Sequence, residues 1–174
     1  MMKWIGILAA LLAPAWALLP QPSSAAWSVT SPDGRTAIAV SRRADGALQY
    51  RVTRDGQIVL GDAPLGLRRA DARFDTRLTY QSAGDVRAID ERYSLPHGKR
   101  HEHHIVARER VLTFTNPGGS RLDIVLRAQN DGVAFRYRFP ESGAGTRSVT
   151  EEATGFTVPT GSTAWMLPRQ PVGK

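Results

Sequence analysis

RAQNDGVAFRYRFP, residues Arg127 to Pro140, together with the LDIVL run at Leu122 to Leu126, reads as a β-hairpin. In the first arm Leu122, Ile124 and Leu126 alternate with Asp123, Val125 and Arg127. In the second, Val133, Phe135, Tyr137 and Phe139 alternate with Ala134, Arg136 and Arg138. Period two on both sides of a polar break marks two strands with one buried face each. Asn130, Asp131 and Gly132 tolerate positive φ, the expected chemistry of a tight turn joining right-twisted strands. An isolated hairpin is marginal in water, so the rest of the chain has to cover the aromatic face.

The remaining sequence repeats this grammar. Extended runs at Trp27 to Thr30, Thr36 to Ser41, Leu48 to Arg54, Gln57 to Leu60, Pro64 to Arg68, Phe74 to Gln81, Val86 to Tyr93, His103 to Ala107 and Arg110 to Thr115 alternate with turn residues. Ser31-Pro32-Asp33-Gly34 and Asp55-Gly56 are the strongest turn signals, because Pro presets φ and Gly accepts the left-handed region. No window of helical length keeps apolar residues at three-and-four spacing between caps. The reading is all-β: about a dozen short strands forming two antiparallel sheets face to face. Patterning by itself does not separate such a sandwich from a closed barrel.

Residues 1–26 carry a basic Lys3, an apolar core from Trp4 to Ala13 and small residues ending at Ser24, Ala25 and Ala26. This is the pattern of a secretory signal peptide, shorter in its apolar core than the ~20 residues of a membrane span. Cleavage after Ala26 is expected, with Ala15 to Ala17 as the competing site and an uncleaved anchor as the alternative. The expected product, residues 27–174, is periplasmic or secreted and free of the membrane. It has no cysteine, so packing has to hold it together without disulfides. The formal charge of +7 comes mostly from arginines scattered singly or in pairs along strands. An exposed sheet face produces that pattern, and no nucleic-acid motif accompanies it.

SPDGRTAIAVS at Ser31 to Ser41, LQYRVTRDGQIVL at Leu48 to Leu60, APLGL at Ala63 to Leu67, LRAQNDGVAFRYRFP and EEATGF at Glu151 to Phe156 together resemble the amino-terminal domain of glycoside hydrolase family 97. The resemblance covers nearly all of residues 27–174. It implies an antiparallel β-sandwich of the super-sandwich, galactose-mutarotase-like carbohydrate-binding type. It also implies a bacterial α-glucosidase or α-galactosidase whose (β/α)₈ catalytic barrel lies outside this sequence, along with the carboxylates that do the chemistry. Gln129 departs from the pattern, since an aromatic residue is expected there.

The resemblance implies no catalytic residue here but one calcium ligand, supplied only together with the barrel. Glu152 is the better match by its spacing to Phe156, and Glu151 is second; carboxylate oxygen suits a hard cation. Trp165 and Phe156, nearest that motif, are the candidates for contact with an α-linked oligosaccharide. The other aromatic residues, Trp27, Tyr50, Tyr80, Tyr93, Phe135 and Tyr137, read as core. His97, His101, His103 and His104 pose a zinc question, but Lys99 and Arg100 beside them disfavour a metal, and a solvated loop is the plainer reading.

Overall fold

The computed structural model describes residues 26–99, 101–141, 145–163 and 165. Of the expected leader only Ala26 falls among them. The described residues form eleven strands and no helix. β1 (Ala26–Thr30), β2 (Thr36–Arg42), β3 (Leu48–Arg54) and β4 (Gln57–Leu65) make an antiparallel meander in that order. β5 (Leu67–Arg69) pairs with the distant β11 (Val149–Glu152). The second large sheet runs β10 (Gly132–Arg138), β9 (Arg121–Gln129), β8 (Glu102–Thr115), β6 (Thr79–Ala83), with β7 (Arg87–Ser94) also on β8.

The two large sheets face each other, which makes the domain a sandwich. Trp27, Val29, Ile38, Val40, Tyr50 and Val52 of the first sheet meet Leu112, Phe114, Leu122, Ile124 and Leu126 of the second, all buried. Val133, Phe135 and Tyr137 of β10 and Phe139 just after it close the same core, half-buried as their alternation requires. Trp27 packs edge-on against Phe114 at 5.5 Å between ring centroids, and Tyr50 meets Phe135 at 5.4 Å. Burying such side chains contributes about 1.5–3 kcal/mol each and takes the place of disulfides.

The structure departs from the expected strands in three places. His103 to Ala107 and Arg110 to Thr115 are one strand of 14 residues, because Arg108 and Glu109 continue the ladder instead of breaking it. β7 and β6 share one edge of that long strand, and β9 takes the other. In the second departure the run from Phe74 becomes a strand only at Thr79. Phe74 and Leu78 fill the core from irregular backbone, which Arg77 N–H and Leu78 N–H tie to the carbonyls of Asp45 and Gly46.

The third departure concerns the turn that joins β9 to β10. Gln129 pairs with Gly132, so Asn130 and Asp131 make a two-residue turn, yet none of these residues has positive φ. A Cβ on Gly132 would meet nothing within 4 Å. The left-handed hairpin turn is Asp55-Gly56, at φ 50° and 77°. Gly46 carries the strictest demand for glycine: its φ is +78°, and a Cβ there would lie 2.6 Å from Arg77 Cα. Gly46→Ala is therefore expected to cost at least about 1–3 kcal/mol in urea unfolding. Gly132→Ala should fall within about 0.5 kcal/mol of the parent. A parent-like midpoint for Gly46→Ala would show that the contact with the Arg77–Leu78 backbone is not held in solution.

Candidate functional site

After β10 the chain returns as a strap along β4 and β5, and this strap carries the candidate residues. Ala153 N–H donates to Gly66 C=O, Gly155 N–H to Pro64 C=O, and Gly61 N–H to Thr157 C=O, at 2.7–3.0 Å. Two core tyrosines pin it from below. Tyr50 Oη donates to Gly155 C=O at 2.9 Å, while Tyr137 Oη lies 2.7 Å from Thr154 Oγ1 and accepts from Gly66 N–H at 2.8 Å. Burial pushes the Tyr137 hydroxyl above its ordinary pKa, and the nearby Glu152 charge adds to the rise.

Glu151 and Glu152 both lie on β11 with exposed side chains, but their surroundings differ. Glu151 is bound to Arg68 at 2.5 Å, and the same guanidinium reaches the nearly buried Asp75 at 2.7 Å. Glu152 makes no hydrogen bond or ion pair among the described residues; it borders an apolar trough formed with Leu67, Tyr137, Phe139 and Val149. Neighbouring residues on an extended strand point to opposite sides, which is why one acid finds Arg68 and the other stays free. Phe156 is 72% exposed, resting one ring edge against Tyr50, and Trp165 is 95% exposed. Glu152 at the edge of the trough and the uncovered Phe156 ring therefore sit on one anchored segment, with Trp165 further along the chain.

The histidines are divided among local contacts. His103 stacks on Tyr93 at 4.9 Å, His104 Nε2 lies 2.8 Å from an Asp90 carboxylate oxygen, and His101 Nδ1 is 3.1 Å from Leu95 C=O. His97 is exposed in the connecting loop. No three His, Cys, Asp or Glu side chains converge as a metal site among the described residues. Of the aromatic residues read as core, Trp27 and Tyr50 are buried, whereas Tyr80 and Tyr93 are exposed rings stacked on Trp27 and His103.

A second cluster, which the alternation pattern did not single out, lies on the outer face of the second sheet. Glu109 is buried to 2% exposure, with Arg87 at 2.6 Å from one carboxylate oxygen and Arg127 at 2.8 Å from the other. Burial alone would raise its pKa; the two arginine hydrogen bonds outweigh that and hold it below the usual range. Asp123, also buried, accepts from Thr113 at 2.8 Å and from Arg138 at 2.7 Å. Arg69 is buried too, paired with Asp71 and Glu141, its guanidinium 4.6 Å from the Phe139 ring centroid. The arginines are thus not simply an exposed face. The signal was the acid inside each alternating strand, which has to be matched by a cation across the ladder.

Residues 29–173 match the family described as glycosyl-hydrolase 97 N-terminal. The chain belongs to that family. It is 36% identical over 143 residues to a probable retaining alpha-galactosidase of Streptomyces bingchenggensis (strain BCW-1), covering 80% of this chain and 22% of that protein. Its fold matches the crystal structure of a beta-arabinopyranosidase with TM-score 0.70 and 30% identity, over 76% of this chain and 21% of the other. A glycoside hydrolase family 97 enzyme from Pseudoalteromonas sp. strain K8, in complex with panose, gives TM-score 0.66 and 25% identity over 77% and 20%. This family 97 amino-terminal domain therefore spans about a fifth of each relative.

Asp75, paired with Arg73 at 3.0 Å as well as with Arg68, makes the domain's acid stability predictable. Hydrogen bonding from Arg73, opposed by burial and reinforced by Arg68, draws the Asp75 carboxyl from 3.8 down to about 2. A depressed folded-state pKa means stability that is present above pH ~4 and lost as pH falls toward 2. The shift corresponds to a contribution on the order of 2 kcal/mol. Urea midpoints measured from pH 5 to pH 2 should fall for the parent and fall less for Asp75→Asn, which starts lower. Parallel slopes would remove Asp75 from the account.

Proposed function

We propose that this chain is the β-sandwich portion of an α-glycosidase, an α-glucosidase or α-galactosidase, that is periplasmic or secreted after its leader is removed. It supports a (β/α)₈ catalytic barrel, walls one side of the pocket for an α-linked oligosaccharide, and contributes one calcium ligand. Family membership supplies the glycosidase context. The observation that carries the finer reading is the unpaired Glu152 carboxylate, held at the edge of an apolar trough on a strap that two core tyrosines anchor.

Glu152 fits calcium by its chemistry, since the cation takes carboxylate oxygen, and six to eight such ligands are usual. One free carboxylate is far short of that number, so the remaining ligands have to come from the barrel. Glu151 is the poorer candidate, because binding calcium would break its ion pair with the Arg68 guanidinium, which also holds Asp75. When bound, calcium would supply positive charge near the sugar. The residues of this chain bind and orient: Glu152 holds the cation, while Phe156 and Trp165 offer ring faces to a pyranose.

Glycoside cleavage needs two carboxyl groups facing each other across the bond, about 5–10 Å apart. Glu151 and Glu152 do not provide that arrangement, because adjacent side chains on β11 diverge. The purified chain should therefore show no turnover of p-nitrophenyl α-glucoside or α-galactoside. Fused to a family 97 barrel, Glu152→Gln should raise the calcium needed for half-maximal activity by about tenfold or more, equivalent to ~1.4 kcal/mol. Glu151→Gln should leave that requirement unchanged. Full activity of the Glu152→Gln fusion without added calcium would falsify the assignment.

The exposure of Phe156 and Trp165 also favours a second reading, a stand-alone carbohydrate-binding or scaffolding module. Binding of a malto-oligosaccharide by the chain without a barrel, abolished by Trp165→Ala, would decide for that reading.

A further inference from the structure

We propose that the concavity on the outer face of the second sheet binds a single pyranose bearing a carboxylate, that is, a uronic acid. The hollow holds about 270 Å³ and is lined by Glu109, Val125, Arg127, Gln129, Ala134 and Arg136, with the core residue Phe135 also bordering it. Cross-strand register puts these side chains together. Glu109 pairs with Arg127, Val125 with Arg136, and Ala134 with Arg127, all on the face opposite the core residues Leu126 and Phe135. The hollow is separate from the Glu152 trough, and the proposal does not depend on the calcium reading.

The electrostatics select the ligand. Both oxygens of the buried Glu109 carboxylate are taken, one by Arg87 and one by Arg127, and Arg127 also reaches Glu91 at 3.4 Å. Those cations are committed, because withdrawing either leaves a buried carboxylate short of partners. Arg136 makes no hydrogen bond or ion pair among the described residues, and neither does the Gln129 amide. One uncommitted guanidinium and one uncommitted amide thus flank a floor of Val125, buried to 2% exposure, and the small Ala134.

Each feature answers part of a uronic acid. The planar guanidinium fork matches a carboxylate bidentately. The amide both donates to and accepts from a ring hydroxyl. The apolar floor takes the C–H face of the pyranose. The volume lies just under the ~300–1,000 Å³ of drug-sized sites, which suits one sugar ring. A neutral hexose gives the Arg136 guanidinium no charged partner, and an inorganic anion leaves the floor and the amide unused.

The test is a titration of the purified, isotope-labelled chain with galacturonate, galactose and inorganic sulfate, followed by backbone amide NMR. Galacturonate should produce saturable shifts at Val125, Gln129, Ala134 and Arg136, weakened at about 0.5 M salt where screening is strong. Galactose should bind at least about tenfold more weakly, the cost of one charged hydrogen-bonded pair. Arg136→Ala should weaken galacturonate binding by a similar factor and leave galactose unaffected; Arg136→Lys should recover part of the loss, keeping charge without the fork. Arg136 is exposed, so the variants keep the fold, and the same spectra verify it. Galactose binding as tight as galacturonate, sulfate matching galacturonate in affinity and shifts, an unaffected Arg136→Ala, or no shifts at all would each overturn the proposal.

Discussion

β9 is buried on both faces, and the rest of the domain is arranged to make that possible. Its inner face, Leu122, Ile124 and Leu126, meets the first sheet and needs only volume. Its outer face carries Asp123 and Arg127, and the neighbouring strand adds Glu109 directly opposite Arg127. A carboxylate withdrawn from water costs several kcal/mol unless a cation meets it, so Arg87 of β7, Arg127 of β9 and Arg138 of β10 have assigned positions. Arg87, Arg127 and Arg138 each end on one of these two buried acids. The long β8 follows from the same requirement, because only an unbroken strand can present Glu109 between β7 and β9.

The strap after β10 depends on the sandwich in turn. Tyr50 and Tyr137 are core residues whose rings pack inside while their hydroxyls reach out to hold Gly155, Thr154 and Gly66. A buried hydroxyl without a partner is costly, so these bonds fix where the strap lies. Gly66 and Gly155 let the backbones approach: a Cβ on Gly66 would stand 2.8 Å from Asp75 Cα, and one on Gly155 would stand 2.9 Å from Pro64 Cγ. The position of Glu152 is therefore inherited from the core. An exposed carboxylate on a rigid mount is the arrangement a metal ligand needs, because a mobile one would lose entropy on binding.

Two short-range devices complete the plan. The first sheet is a meander closed by tight turns, and the left-handed Asp55-Gly56 pair matches strand twist. The second is also built from sequential neighbours, β7–β8, β8–β9 and β9–β10, with only β6 reaching past β7 to β8, while Phe74 and Leu78 plug the core from irregular chain between the sheets. Two concave surfaces lie at different places on this frame, the Glu152 trough where β5 and β11 meet β10 and the Arg136 hollow on the outer face of the second large sheet. Their chemistries differ, a free acid on the first and a free base on the second.

How much of this was legible in the sequence follows from the range of the forces involved. Period-two alternation is local, so strand existence, the all-β class and the β9–β10 hairpin could be read from Leu122 to Phe139. The family motifs put Glu152 ahead of Glu151 as the calcium ligand, an expectation that stands here as a proposal. Turn geometry was less legible, since Gly132 has the right residue type but not the φ, and the strand context decides which conformer a two-residue turn adopts. Side-chain partners across strands were not legible. That Glu151 meets Arg68, 83 positions earlier, and that Glu109 lies between Arg87 and Arg127, depends on which strands become neighbours. By itself the sequence determined the alternation, the tight turns at glycine and the order of the motifs, because each is a property of adjacent residues. Only the tertiary structure decided which acids are neutralised and which are left free, because burial and ion pairing are properties of the assembled sheets.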